Sequence, residues 1–250
     1  MVTSNKSESK EKQIVLPDVS LCSIVRDEKM NPAGGIERFV ESHVPFVEEA
    51  VIVDTGSLDG TREILEELQG KYSNLKIYDT KFNGFADARN YSLSKVKTKY
   101  ALVLDADELI THERPSNDWE IIYDDMKRLD KKYDLSALAL TLEFKHILPS
   151  GKEKRNVPCW NGRLFEKENA KFNCSLFEEL EIEGGDYFQT SATIFHFLPN
   201  RNNLEDKMDF WYKEGDGRKF RKHINKNIAP SQIEWFSKWK KYNPKRDKYE

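Results

Sequence analysis

Short apolar runs alternate with helical patterns through the first 110 residues. Residues 19–25, VSLCSIV, are apolar and β-branched and predict a buried strand. The loop RDEKMNPAGG follows, and residues 36–46 place apolar side chains at helical spacing. Residues 49–54, EAVIVD, predict a second strand. The turn TGSLDG then leads into a helix over 61–72, which Asp59 or Thr61 could cap. A third strand is predicted at 75–79, a helix at 86–96 and a fourth strand at 100–107. This rhythm predicts an α/β domain built on a mostly parallel sheet flanked by helices.

Beyond residue 110 the rhythm breaks. Residues 118–133 read as a helix and 135–144 as an alternating strand. Short strands are predicted at 162–167 and 191–197, and helices at 204–224 and 231–242. Residues 1–17 are polar and close with Pro17, as expected of a flexible leader. The expected organisation is therefore a leader over 1–17 and a domain over 18–200. That domain has a ligand-binding front half, 18–110, and a mixed α+β back half, 111–200. A helical extension over 201–250 is expected to pack on it.

Charge sharpens this picture. The net charge of −3 argues against a dedicated nucleic-acid binder. Residues 201–250 nevertheless hold 14 Lys/Arg against 8 Asp/Glu, so the extension is basic. A solvated helical face explains this most simply; contact with a polyanion or an acidic membrane surface is the alternative. No apolar run reaches the roughly 20 residues of a bilayer span. Cys22, Cys159 and Cys174 are odd in number and lack metal-site spacing, which fits a reducing compartment. The expected location is cytoplasmic.

The chemistry concentrates where apolar runs end. Residues 101–110, ALVLDADELI, carry Asp105, Asp107 and Glu108 straight after four apolar residues. Crowded carboxylates repel, so a positive group or a shared proton should lie among them. In open parallel sheets, ligands bind beyond the carboxyl ends of the strands. Asp54 and the Arg26-Asp27-Glu28 run lie at the matching ends of two other strands. A D-x-D at such a rim suits Mg²⁺ or Mn²⁺ sharing its shell with a substrate phosphate. It also suits a plain surface pair. His196, in TIFHFL, is either a satisfied core residue or a further ligand.

Four blocks in order resemble family 2 glycosyltransferases. SLCSIVRDE resembles their opening strand, and VIVDTGSLDGTREI, residues 51–64, resembles V-V-D-T-G-S-x-D-G-T. NGFADARNYSL, residues 83–93, resembles D-F-A-x-A-R-N, with Asn83 where the family has Asp and Gly84 inserted. ALVLDADE resembles W-x-L-x-L-D-A-D-E. Later, RLFEK resembles an R-L-F strand. SLFEELEI, residues 175–182, resembles I-H-E-x-L with Phe177 in place of His, and IFHF resembles the strand whose His joins the metal.

The resemblance implies a GT-A fold, a nucleotide-diphosphate sugar donor and Mn²⁺ or Mg²⁺. A UDP-sugar is favoured, with GDP- or dTDP-sugars as alternatives, and the acceptor is a hydroxyl on a glycan, lipid or protein. It implies that Asp54 meets the nucleobase and that Arg26, Glu28, Arg89 and Asp105 line the nucleotide site. Asp107 and His196 would ligate the metal, with Asp105 on the ribose or a metal water. Glu178 would be the general base of an inverting transfer, with Glu179 its rival by one position of register. Trp160 is a weaker acceptor-site candidate. The competing readings are a catalytically silent nucleotide- or sugar-binding module and, more remotely, a nucleotidyltransferase.

Overall fold

The structure is a computed structural model. Its described residues are 14–112, 117–131, 138–154, 162–173, 178–183 and 186–198. Residues 1–13 of the expected leader, the stretch from 199 onward, Trp160, Phe177, Cys159 and Cys174 lie outside them, whereas Leu16 and Pro17, at the leader's expected end, already belong to the first strand, where Leu16 is buried.

The front half follows the predicted rhythm. It runs β1 (Leu16–Val25), α1 (Gly35–His43), β2 (Val47–Asp54), α2 (Thr61–Lys71), β3 (Leu75–Asp79), α3 (Phe85–Lys95) and β4 (Tyr100–Val103). Pro45 sits in a 3-10 turn, Val44–Phe46, which ends the predicted 36–46 helix early. The fourth strand is also shorter than the sequence pattern suggests. It stops at Val103, the carboxylates occupy a turn, and Glu108–Ile110 form a separate β5. The chain turns because the Asp105 carbonyl accepts the Glu108 N–H and the Glu108 carboxylate accepts the Asp105 N–H. Side chains and backbone thus close the loop on itself.

The back half supplies α4 (Asp118–Asp130), β6 (Leu138–Ile147), β7 (Glu153–Lys154), β8 (Leu164–Glu166), β9 (Ala170–Asn173), β10 (Glu179–Ile182) and β11 (Asp186–Phe197). The sequence pattern predicts no strand at the hairpin β9–β10, although β10 falls within the 175–182 segment that resembles I-H-E-x-L. One sheet runs through both halves in the order β3-β2-β1-β4-β8-β6-β11-β5, with β7 beside β6. The pairs among β3, β2, β1 and β4 are all parallel. β8 enters antiparallel to β4 and to β6, and β11 runs parallel to β6.

The central strands are covered on both faces, which is why their sequences are continuously apolar. On one face Leu21, Ile52 and Leu102 meet Ile36, Phe39 and Val40 of α1, Leu65 of α2 and Trp119 of α4. On the other, Cys22, Val51, Val53 and Val103 meet Ala86 and Leu93 of α3 together with Phe165 and Phe172. Truncating one of these buried side chains to Ala costs about 2–5 kcal/mol. Two connections leave β1 and β4 on opposite sides, so the crevice between their carboxyl ends is the topological switch point of the sheet.

Candidate functional site

Three loops meet at that crevice. The β1–α1 and β2–α2 loops are stitched side by side by four hydrogen bonds. The N–H groups of Asp27, Glu28 and Lys29 donate to Ser57 Oγ, Thr61 Oγ1 and Asp59 Oδ2, and Leu58 N–H donates to Asp27 Oδ1. Asp27 adopts φ 56°, a left-handed conformation that Asp tolerates better than most residues. Asp59 also accepts the N–H and hydroxyl of Thr61, so it does act at the start of α2. Gly35, at φ 89°, lets α1 begin where any Cβ would collide with the Lys29 carbonyl.

Asp54 is almost wholly buried at the end of β2. Its Oδ1 accepts the N–H groups of Gly56 and Ser57, both at 2.7 Å. Its Oδ2 is buried with no hydrogen-bond partner among the described residues. A buried carboxylate oxygen left in that state costs free energy. Glu28 is buried nearby, and Arg26 lies next to the Asp27 carboxylate at 4.0 Å.

The turn after β4 answers the question raised by its own crowding. Asp105 pairs with Arg89 from α3. Glu108 pairs with Arg163 at 2.8 Å, and that guanidinium lies over the Phe144 ring. Asp107 faces His196 of β11, with Oδ1 and Nε2 3.8 Å apart. Each carboxylate therefore has its own basic neighbour. Burial works to raise the Asp105 carboxyl, but the charges of Arg89 and Arg163 outweigh it and hold the group well below the usual carboxylate range. Glu108 goes the other way. Burial raises its carboxyl, the charges of Asp105 and Asp107 add to that rise, and Arg163 only partly opposes it.

Arg89 joins two of the predicted site residues. Its Nε donates to Glu178 Oε1 at 3.2 Å while Nη2 donates to Asp105. It is buried, and its Nη1 finds no hydrogen-bond partner among the described residues. Glu179 lies on the opposite, exposed face of β10, one position of register away from Glu178. Asp105 is thus engaged by a guanidinium, which leaves Asp107 and His196 as the pair whose donor atoms could share a divalent cation. Among the described residues, no group of three His, Cys, Asp or Glu side chains forms a metal cage.

Three residues in the site escaped the sequence reading as functional groups. Asn31 donates to the Ala106 carbonyl at 2.7 Å, and its Oδ1 accepts the N–H groups of Ala33 and Gly35. One amide thereby holds the β1–α1 loop to the acidic turn across the switch point. Arg163 stands out in the sequence only as part of the R-L-F strand motif. His146 sits opposite His196 in register, Nδ1 to Nδ1 at 3.1 Å. A His in a strand next to another strand's His is visible only once the pairing is known.

Residues 31–131 match the family model described as glycosyl transferase family 2. The chain is 29% identical over 106 residues to a cholesterol galactosyltransferase of Borreliella burgdorferi, covering 40% of this chain and 28% of that protein. It is 38% identical over 93 residues to a TPR repeat-containing protein of Synechococcus elongatus, covering 37% of this chain and 21% of that one. It therefore spans about a quarter of the length of these curated relatives. Among solved structures, S. aureus TarS 1-349 in complex with UDP-GlcNAc aligns with a TM-score of 0.54 at 17% identity, over 73% of this chain and 59% of that one. GalNAc-T7 with UDP, GalNAc and Mn²⁺ aligns with a TM-score of 0.56 at 14% identity, over 76% and 45%. With the parallel front half, the acidic turn at the switch point and the structural neighbours in agreement, the chain has the GT-A fold, and its residues 31–131 are similar to the family 2 glycosyltransferases.

Proposed function

We propose that the chain is a metal-dependent, inverting glycosyltransferase that moves a sugar from a nucleotide-diphosphate donor, a UDP-sugar in the first instance, to a hydroxyl acceptor. One observation carries the reading. Asp107, from the turn after β4, and His196, from β11, present donor atoms to one point at the switch-point rim. Cis ligands of a Mg²⁺ or Mn²⁺ ion lie about 3 Å apart, so small side-chain rotations would bring the 3.8 Å pair onto one cation. Two protein ligands also leave coordination positions for a diphosphate, the usual arrangement for these ions. The UDP-GlcNAc bound to TarS and the UDP and Mn²⁺ bound to GalNAc-T7 support the same donor class.

When bound, the cation would stabilise the negative charge that develops on the departing diphosphate. The protein's own groups do the rest. Asp54 Oδ2 accepts an N–H of the nucleobase edge, satisfying an oxygen otherwise left without a partner among the described residues. Arg89 sets the position of Asp105 and offers Nη1 to the nucleotide side of the site. Glu178 takes the acceptor hydroxyl's proton as the new oxygen–carbon bond forms. The bond from the anomeric carbon to the phosphate oxygen breaks, and its electron pair leaves with the diphosphate. Attack from the face opposite the leaving group inverts the anomeric centre.

The test is calorimetric titration with UDP, GDP, dTDP and CDP, with and without Mn²⁺. One nucleotide should bind only with the metal, and Asp107→Ala should abolish that binding while leaving the circular dichroism spectrum unchanged. Metal-independent binding, or none from folded protein, would overturn the proposal. A binding-only module is the second reading, favoured by one contact: Arg89 already engages the Glu178 carboxylate. It predicts nucleotide binding with neither sugar transfer nor donor hydrolysis.

A further inference from the structure

We propose that His146 is a positioning residue: it fixes the ring tautomer of His196 so that the Nε2 lone pair faces Asp107. The inference rests on the metal-dependent reading above for its purpose, though not for its geometry. β6 and β11 run parallel and in register, which sets His146 directly beside His196. Their Nδ1 atoms are 3.1 Å apart, a hydrogen-bond distance that requires one N–H between them. On the other side of the His196 ring, Nε2 is 3.8 Å from Asp107 Oδ1, too far for a hydrogen bond. A proton on Nδ1 of His196 therefore has an acceptor within reach, whereas a proton on Nε2 has none at Asp107. The ring is held in that orientation by Phe144, whose edge-on contact places the centroids 6.1 Å apart.

The donor is then His196 Nδ1–H and the acceptor His146 Nδ1, with the His146 proton on its Nε2. This tautomer is the one that can ligate, because a metal takes the nitrogen that lacks a proton. Metal-ligating histidines ordinarily lean on a carboxylate, a carbonyl or water through their second nitrogen. Here a second imidazole takes that part. Among the described residues, His146 is the one hydrogen-bond partner of His196 Nδ1, so the arrangement has a single point of failure.

The full chain labelled with ¹⁵N-histidine tests this. It holds five histidines, and the His196 signals are those lost in His196→Gln. Long-range ¹H–¹⁵N spectra of the metal-free protein, at a pH where imidazoles are neutral, should show His196 protonated on Nδ1. His146→Phe should move it to the Nε2–H form. His146→Asn, whose amide oxygen replaces the lost nitrogen, should keep the wild-type pattern. Titration with Mn²⁺ alone, read by electron paramagnetic resonance, should show about tenfold weaker binding for His146→Phe and near wild-type binding for His146→Asn. An Nε2–H form in the wild type overturns the proposal even if no variant folds. So does a folded His146→Phe that keeps both the tautomer and the affinity. If the tautomers behave as expected and the wild type binds no Mn²⁺, the metal reading fails and the positioning of His196 stands.

Discussion

Arg89 is the side chain through which most of the site's electrostatics pass. It is buried, it neutralises Asp105, and it ties Glu178 from a distant hairpin to α3. Arg89→Met would strip the shared guanidinium from both carboxylates and leave Asp105 chiefly the charge of Arg163. The expected loss is roughly 3 kcal/mol, at the low end for a broken buried pair because Asp105 reaches water. Adding Glu178→Gln should recover part of it, and a double-mutant cycle by urea unfolding measures the coupling. Asn31 invites a finer substitution. Asn31→Asp keeps the oxygen that accepts from Ala33 and Gly35 but removes the donor to Ala106. The loop should hold its fold while nucleotide affinity in Mn²⁺ falls severalfold, as calorimetry would report; an unchanged affinity would remove Asn31 from the site.

Elements set where such side chains arrive, and they were unequally legible. The β1, β2, β3 and β4 runs and their helices stand out because strands buried on both faces are apolar throughout. Asp54, Asp105 and Asp107 could be named from sequence because they follow such runs. The break inside ALVLDADELI was not legible, since the turn is closed by the Glu108 side chain and its direction depends on β11. The hairpin β9–β10 was hidden because its strands are four residues each, with Phe172 their one buried side chain, too short for a pattern to stand out. Cross-strand partners such as His146 and Arg163 depend on register between strands far apart in the chain, which a local pattern does not encode. The start of α1 offers a test at this scale. Gly35→Ala meets both a positive φ and the Lys29 carbonyl, so a loss of about 2 kcal/mol or more is expected in thermal unfolding. Gly70, in α2 with open space around it, should tolerate the same change.

At the scale of the molecule, acid should weaken the fold through His43. This ring is fully buried beside Trp119, donates from Nδ1 to the Phe39 carbonyl and accepts the Ile110 N–H on Nε2. Burial pushes its pKa down from 6.5 to about 4, against a smaller opposing pull from the Phe39 hydrogen bond. The unfolded chain then binds the proton more readily than the folded one. Stability is full above the unfolded value and falls as pH drops from 6.5 toward 4, by up to roughly 3 kcal/mol. Urea midpoints measured across that window should slope downward toward acid, and His43→Gln should flatten the slope. Among the described residues, no helix is long and apolar enough to cross a membrane.

The single sheet has a consequence for the nascent chain. Leaving the ribosome, residues 16–131 can pair β1, β2, β3 and β4, yet β4 then ends the sheet as a bare edge until β8 arrives. His196 comes later still, on the strand that closes over β5. A chain released after α4 would carry Asp54, Asp105, Asp107 and the whole family-matched segment while exposing a sticky β edge. Such a fragment should self-associate, visible in light scattering, where the same segment within the full chain does not. Translation speed between residues 131 and 164 therefore sets how long that edge stands open.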